Sequence, residues 1–189
     1  MKTPHLSYIY FWALVLGSNL LISYVYGNIG NHSLFIKNNG SLWSTGFNVH
    51  GQLGLGDYID RNTTQTVPGA TGVKNVTTGL RHSFFIKQDG TVWCMGYNSF
   101  GQLGLGDVTR RNSPVQVPGS TGVTQISAGQ DHSLFLKNDG SILSMGKNES
   151  GQLGLGDTVD RNSSSLIPNI SNVTQISSGR DYNLFLRSD

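Results

Sequence analysis

Cysteine is almost absent. Cys94 stands alone, so no intrachain disulfide can form. Charge is also scarce: Asp, Glu, Lys and Arg make up 13% of the chain, about half the usual share for a soluble protein. Lys and Arg total 13 against 11 Asp and Glu, and no basic run is longer than Arg110-Arg111. Nucleic-acid binding needs basic residues gathered on a face or stripe, and this sequence offers none. No segment has helical periodicity long enough to name. What the chain has in excess is glycine, with 25 residues, which points to many tight turns.

The first 27 residues differ from the rest. Between Lys2 and Lys37 there is no Asp, Glu, Lys or Arg, and Tyr8–Leu16 and Leu20–Tyr26 are apolar. One Lys near the start, an apolar stretch and small residues afterwards form a secretory signal pattern, with cleavage expected between Gly27 and Asn28. As a helix, Leu6–Tyr26 would be about 31 Å long, which would also suit an uncleaved membrane anchor. A remnant of an earlier repeat is a further reading, since Tyr26 falls where later units place Val76, Ile126 and Ile176. The expectation is a secreted or periplasmic mature chain, or one anchored with residues 28–189 outside. Any membrane contact is then confined to residues 1–27.

From there a 50-residue period runs without insertion. Gly51-Gln-Leu-Gly-Leu-Gly-Asp57 recurs at Gly101–Asp107 and Gly151–Asp157. His32–Lys37 recurs at His82–Lys87 and His132–Lys137, then as Tyr182–Arg187. Arg61-Asn62, Pro68 and their copies keep step. The units are 32–81, 82–131 and 132–181, with a partial fourth at 182–189. Such regularity places each unit in the same environment against its neighbour. Within the third unit, His132–Lys137 and Ser141–Met145 flank Asn138-Asp139-Gly140, a type I′ hairpin signal. In the second, Val115–Val117 and Val123–Ala128 flank the Pro118–Gly122 turn. Four short strands in each 50-residue unit predict the blade of a β-propeller, in an all-β chain.

The GQLGLGD segment, the Arg-Asn that follows, the Val-Pro-Gly turn and the Gly-x-x-His-Ser-Leu-Phe-x-Lys-x-Asp-Gly hairpin resemble the regulator of chromosome condensation repeat. The resemblance runs from Ile29 to Asp189. It implies a seven-bladed propeller of four-stranded blades, of which this chain holds about three. Seven such units would take about 350 residues, and a ring needs at least about four blades. Asp189 aligns with Asp89 and Asp139, one residue before the hairpin glycine. The chain therefore reads as a truncated product, a fragment, or an open arc that must assemble. Open blade edges predict self-association.

No repeated motif carries catalysis. The Gly-x-Gly-Asp segments lack the Lys-Ser/Thr of a phosphate loop and the nine-residue spacing of calcium β-helices. They read as tight loops in which Asp57, Asp107 and Asp157 cap backbone N–H groups and Gln52, Gln102 and Gln152 satisfy loop backbone. His32, His82 and His132 could bind metal only if three blades aimed them at one centre, and the fourth copy is Tyr182. Hydrogen-bonded structural histidines are expected instead. Trp43 and Trp93 read as core aromatics, and Cys94 as a small half-buried strand residue. No cofactor is expected. Asn-x-Ser/Thr sequons at Asn31, Asn39, Asn62, Asn75, Asn148, Asn162, Asn169 and Asn172 matter only where the host glycosylates.

Residues that vary between units are the candidates for function. Tyr58, Arg110 and Asp160 follow the repeated Asp; Phe100 and Glu149 precede the repeated Gly; Arg81, Asp131 and Arg180 precede each hairpin. Loops on a rigid scaffold are where binding residues concentrate. The resemblance implies protein partners bound through a propeller face, as in secreted bacterial inhibitors of β-lactamase. The leading expectation is therefore an exported, non-enzymatic protein–protein interaction module. The resemblance also allows guanine nucleotide exchange on a Ran-like small GTPase, and a non-functional gene fragment is the third reading.

Overall fold

The computed structural model describes residues 30–188. The segment 1–27 and the Gly27–Asn28 bond lie outside them. No helix among the described residues is long and apolar enough to cross a membrane.

Among the described residues, thirteen strands form four antiparallel sheets. The first holds β1 (His32–Ile36), β2 (Leu42–Gly46) and β3 (Arg61–Thr66). The second runs in order through β4 (Val73–Thr78), β5 (His82–Lys87), β6 (Val92–Gly96) and β7 (Arg111–Gln116). The third repeats it with β8 (Val123–Ala128), β9 (His132–Lys137), β10 (Ile142–Gly146) and β11 (Arg161–Leu166). The fourth pairs β12 (Val173–Ser178) with β13 (Asn183–Arg187). From the second on, each hydrogen-bonded sheet opens one strand before the sequence unit does, so β8 at the end of unit 82–131 begins the third sheet.

The cores lie between sheets. Leu34, Ile36, Leu42 and Val67 of the first sheet pack on Val73, Val76, Phe85 and Met95 of the second. Phe84, Ile86, Val92 and Leu103 pack on Ile126, Phe135 and Met145 of the third, and Leu134, Leu136 and Ile142 on Val173 and Ile176 of the fourth. A strand covered on both faces reads as a continuous apolar run, which is why Phe84-Phe85-Ile86 does not alternate.

Four local readings are corrected. The hairpin turns are not type I′, because only the glycine of each has positive φ: Gly40 75°, Gly90 83°, Gly140 78°. Gly90 N–H donates to Lys87 C=O (2.9 Å) and Lys87 N–H to Thr91 C=O (3.0 Å), a three-residue loop with a left-handed glycine at its end. Asp89 Oδ1 then accepts the Thr91 N–H (2.9 Å), so its side chain shapes the loop. Strand β7 starts at Arg111, not Val115: Arg111 pairs with Gly96 across a bulge, and Pro114 sits on an outer strand that tolerates it. Cys94 is fully buried, and burial pushes its thiol well above the ordinary range. Trp43 and Trp93 are only half-buried, because the core positions of their strands are the flanking ones. Lys37 and Lys87 cap their rings at 3.3 and 4.4 Å.

Candidate interaction face

In these meanders the β2–β3, β6–β7 and β10–β11 loops and the β4–β5, β8–β9 and β12–β13 turns project from one end, the loop end. The hairpin tips and Pro turns project from the other. An open groove there lies between Asp89-Gly90-Thr91 and Pro118–Gly122, whose first-unit counterparts are Asn39-Gly40-Ser41 and Pro68–Gly72.

The loop end stands on rigid junctions. Ser83 Oγ donates to the Gln52 carbonyl (2.8 Å), so it accepts from His32 Nε2 (2.8 Å), which must carry the proton. The next junction repeats this: His82 Nε2 lies 3.0 Å from Ser133 Oγ, which donates to Gln102 C=O at 2.8 Å. At the third, Asn183 replaces Ser, accepting from His132 Nε2 (2.8 Å) and donating to Gln152 C=O (2.7 Å). Burial drives His32 down to about 4 and His82 to about 3, and lowers His132 against the bond from Asn183. These imidazoles are neutral ties between sheets, and no three His, Cys, Asp or Glu among the described residues come together as metal ligands.

Each long loop is held from within. Asn48 Oδ1 accepts the Leu53 N–H (2.9 Å), while its Nδ2 donates to Asp57 and to Ile59 C=O. Asp57 Oδ1 accepts the Ile59 N–H (3.0 Å) and Oδ2 pairs with Arg61 (2.5 Å). The Ile59 N–H, followed by the Arg61 guanidinium, holds the Asp57 carboxyl below its usual range. Gln52 Oε1 accepts the His50 N–H (3.0 Å). The second and third loops repeat the set. The loop also reaches the next sheet: Gly56 N–H donates to Asn112 C=O (2.8 Å), and Asn112 Nδ2 returns a bond to Gly56 C=O (2.9 Å).

All eight candidate residues fall at the loop end. Arg110 lies over the Tyr58 ring (4.4 Å) and Arg81 over Tyr97 (5.8 Å). Phe100 meets Tyr97 edge-on (6.1 Å) and is covered by Lys147 (5.2 Å), whose ammonium pairs with Glu149 (2.8 Å). Arg180 pairs with Asp181 (3.2 Å). Asp160 Oδ1 accepts the Asn148 N–H (2.7 Å) and braces its own loop. Asp131 is buried, and its Oδ2 accepts from Gln130 Nε2 (3.1 Å).

The structure adds residues that the sequence reading left out of the candidate set. Phe47 and Tyr97 continue the aromatic strip through His50, itself a variable position before the repeated Gly, which lies 6.2 Å from Phe47 and 4.9 Å from Tyr97. Burial first, then Arg81 and Arg110, lower the His50 pKa against the pull of Asp131. The signal for Phe47, Tyr97 and Lys147 was available: each follows the repeated strand-end glycine, and each differs. The result is a half-exposed strip of edge-on and tilted rings and cations crossing three loops, able to bury aromatic area and donate charged hydrogen bonds to a partner surface.

A model of the regulator of chromosome condensation (RCC1) repeat matches residues 39–86, 89–136 and 139–186, and a second model of that repeat matches 73–102 and 123–152. No curated protein sequence matches the chain significantly. Among solved structures, the chain superposes on Saccharomyces cerevisiae Prp20p with TM-score 0.81 and 21% identity. The match covers 94% of this chain and 45% of that one. Yeast RCC1 (Prp20) bound to Kap60 gives 0.79 and 22%, covering 93% and 44%. Human WBSCR16 gives 0.78 and 24%, covering 89% and 45%. The chain thus spans less than half the length of these structural relatives, and at such identities the likeness shows the fold: consecutive blades of an RCC1-type propeller.

Proposed function

Because the chain belongs to the regulator of chromosome condensation repeat family, we propose that it is a non-enzymatic protein-interaction module that binds through its loop end. One observation carries this reading. At that end, positions that depart from the repeat build a contiguous strip of Phe47, His50, Tyr97, Phe100, Arg81 and Lys147. Aromatic rings and Arg are the residue types that dominate binding energy at interfaces. The test is capture by the whole chain compared with a Tyr58→Ala/Phe100→Ala/Arg110→Ala variant. Turn-end substitutions Gln88→Ala and Thr121→Ala serve as controls. A partner retained by the controls and lost by the triple variant supports the reading; equal capture by all of them refutes it.

Export belongs to the same proposal and rests on the uncharged segment before Asn28. Intact-mass measurement in the native host should find a product lacking residues 1–27, and a full-length cytosolic product would sink that part.

Nucleotide exchange is the second reading, favoured by the likeness to Prp20p, whose structure was reported with its binding to Gsp1p and histones. Exchange requires tighter grip on the nucleotide-free GTPase than on its GDP form. The expected result is no acceleration of labelled GDP release from a Ran-like GTPase. Release many-fold above the intrinsic rate would promote this reading over the first.

A further inference from the structure

Two positions of the second sheet carry Arg where the rest of the repeat carries Asp or Asn. At the end of the long loop, Asp60 and Asp160 accept the backbone N–H of Asn48 and Asn148 at 2.6 and 2.7 Å. Arg110 occupies that place in the second unit, so Asn98 loses the carboxylate its counterparts have. Before the hairpin, the other sheets carry Asn31, Asp131 and Asp181, whereas the second carries Arg81. The second unit gives up the bracing bond within its loop and presents a cation in its place, which marks the position as kept for more than holding the loop.

The fold brings both arginines to one loop tip. Arg110 Nη1 donates to Val49 C=O (3.5 Å) while its guanidinium lies over Tyr58. Arg81 lies over the Tyr97 ring, on which His50, the neighbour of Val49, also packs. Arg61, Arg111, Arg161 and Arg180 each pair with a carboxylate. Among the described residues, Arg81 and Arg110 have no such pair within 4.0 Å. A guanidinium stacked on a ring keeps its edge N–H groups free and loses little rotamer freedom on binding. Val49, Tyr58 and Ile59 beside them are exposed at 40%, 41% and 65%. Two guanidiniums without a carboxylate partner, near exposed apolar side chains, complement an anion with apolar neighbours.

We propose that Arg81 and Arg110, held over Tyr97 and Tyr58 about the His50 tip, form a carboxylate-recognition spot. It takes an acidic segment of a protein partner with an apolar residue beside its carboxylate. This rests on the interaction reading above and names the chemistry of the partner. The whole chain is titrated into a fluorescein-labelled peptide of alternating glutamate and phenylalanine, and anisotropy gives Kd. A glutamine-for-glutamate peptide should bind at least about tenfold more weakly, and Arg81→Gln/Arg110→Gln should cause a similar loss at unchanged Tm. Both losses should shrink as salt rises. Equal binding of the glutamine peptide, or no effect of the double variant, overturns the proposal. A preference for a phosphoserine peptide, competed by inorganic phosphate, overturns the carboxylate assignment as well. If peptide binding fails while partner capture still depends on Tyr58 and Phe100, the anion spot falls and the interaction reading stands. Capture indifferent to Tyr58 and Phe100 removes both.

Discussion

At the junctions, His32, His82 and His132 each reach the same position of the next sheet; at the loop end, equivalent positions 60, 110 and 160 hold Asp, Arg and Asp. The two regions share one 50-residue unit and differ in what surrounds them. A junction residue faces a partner that repeats with it, so any change leaves a buried group unpaired. A loop-end residue faces solvent, so it varies at little structural cost. Surroundings, and not letters, decide what a residue contributes. Leu134 and Leu136 are 0% and 4% exposed beneath the fourth sheet, while Leu184 and Leu186, one period later, are 64% and 56% exposed.

Acid should break this comparison most forcefully, because it acts on the junctions. The folded pKa values of His32 and His82, about 4 and 3, lie below the unfolded value near 6.5. Below 6.5 the unfolded chain binds more protons than the native one, so stability falls with pH until the folded pKa is reached. For His32 the loss runs from about 6.5 to about 4, and for His82 on to about 3. Each buried imidazole removes about 1.4 kcal/mol per pH unit inside its window. Urea unfolding at pH 7, 5 and 4 should show a midpoint that drops steeply. A midpoint flat to pH 4 would mean that these histidines are not buried neutral ties.

Two glycines with the same letter and backbone sharpen the contrast. Gly101 and Gly151 have φ of 79° and 72°. A Cβ on Gly101 would collide with the Asn162 backbone and stand 2.7 Å from the Arg161 carbonyl, while one on Gly151 meets nothing within 4 Å. Gly151→Ala should cost about 1–2 kcal/mol, the backbone strain alone. Gly101→Ala should cost at least about 2 kcal/mol more, through overpacking against the next sheet. Thermal and urea melts of the two variants measure the difference, and equal losses would deny the sheet-to-sheet contact.

Asp107→Ala is next in size. It removes the acceptor for the Thr109 N–H (2.8 Å) and for Asn98 Nδ2 (3.1 Å), and the ion pair to Arg111 (2.6 Å). A loss of about 1–2 kcal/mol is expected, with acidic-peptide binding retained wherever the chain folds. Intact stability together with lost binding would move this Asp from the scaffold to the site.

What could be read in the sequence follows the same division. The period, the strand pairs and the loop-capping Asp were legible, because a local contact leaves a local spacing. The His–Ser ties were not, since each joins residues 51 apart on different sheets. Their one trace is the adjacent His-Ser pair, which becomes Tyr-Asn in the fourth copy. Strand β7 was hidden by Pro114 and by its polar letters, because an outer strand needs no apolar face. At the candidate site the variable positions were visible, but Tyr97 and His50 acquire meaning only when two loops meet.

The smallest expected effect has the opposite sign. Arg110→Asp places in the second loop the carboxylate that Asp60 and Asp160 use to accept a backbone N–H. The loop backbone is already shaped for it, since Asn98 makes the same bonds to Leu103, Asp107 and Thr109 that Asn48 makes to Leu53, Asp57 and Ile59. The new bond should add about 0.5–1 kcal/mol, partly offset by the lost stacking on Tyr58. Stability should therefore rise by a few tenths of a kcal/mol, while affinity for the glutamate peptide falls. Arg110→Gln separates the two effects, because it removes the cation without supplying the carboxylate: peptide binding should fall and stability should not rise. If Arg110→Asp is less stable than the natural chain, Arg110 is a structural residue and the second unit has abandoned nothing. Gain of stability with loss of binding would show that the repeat gave up a bracing contact there for recognition.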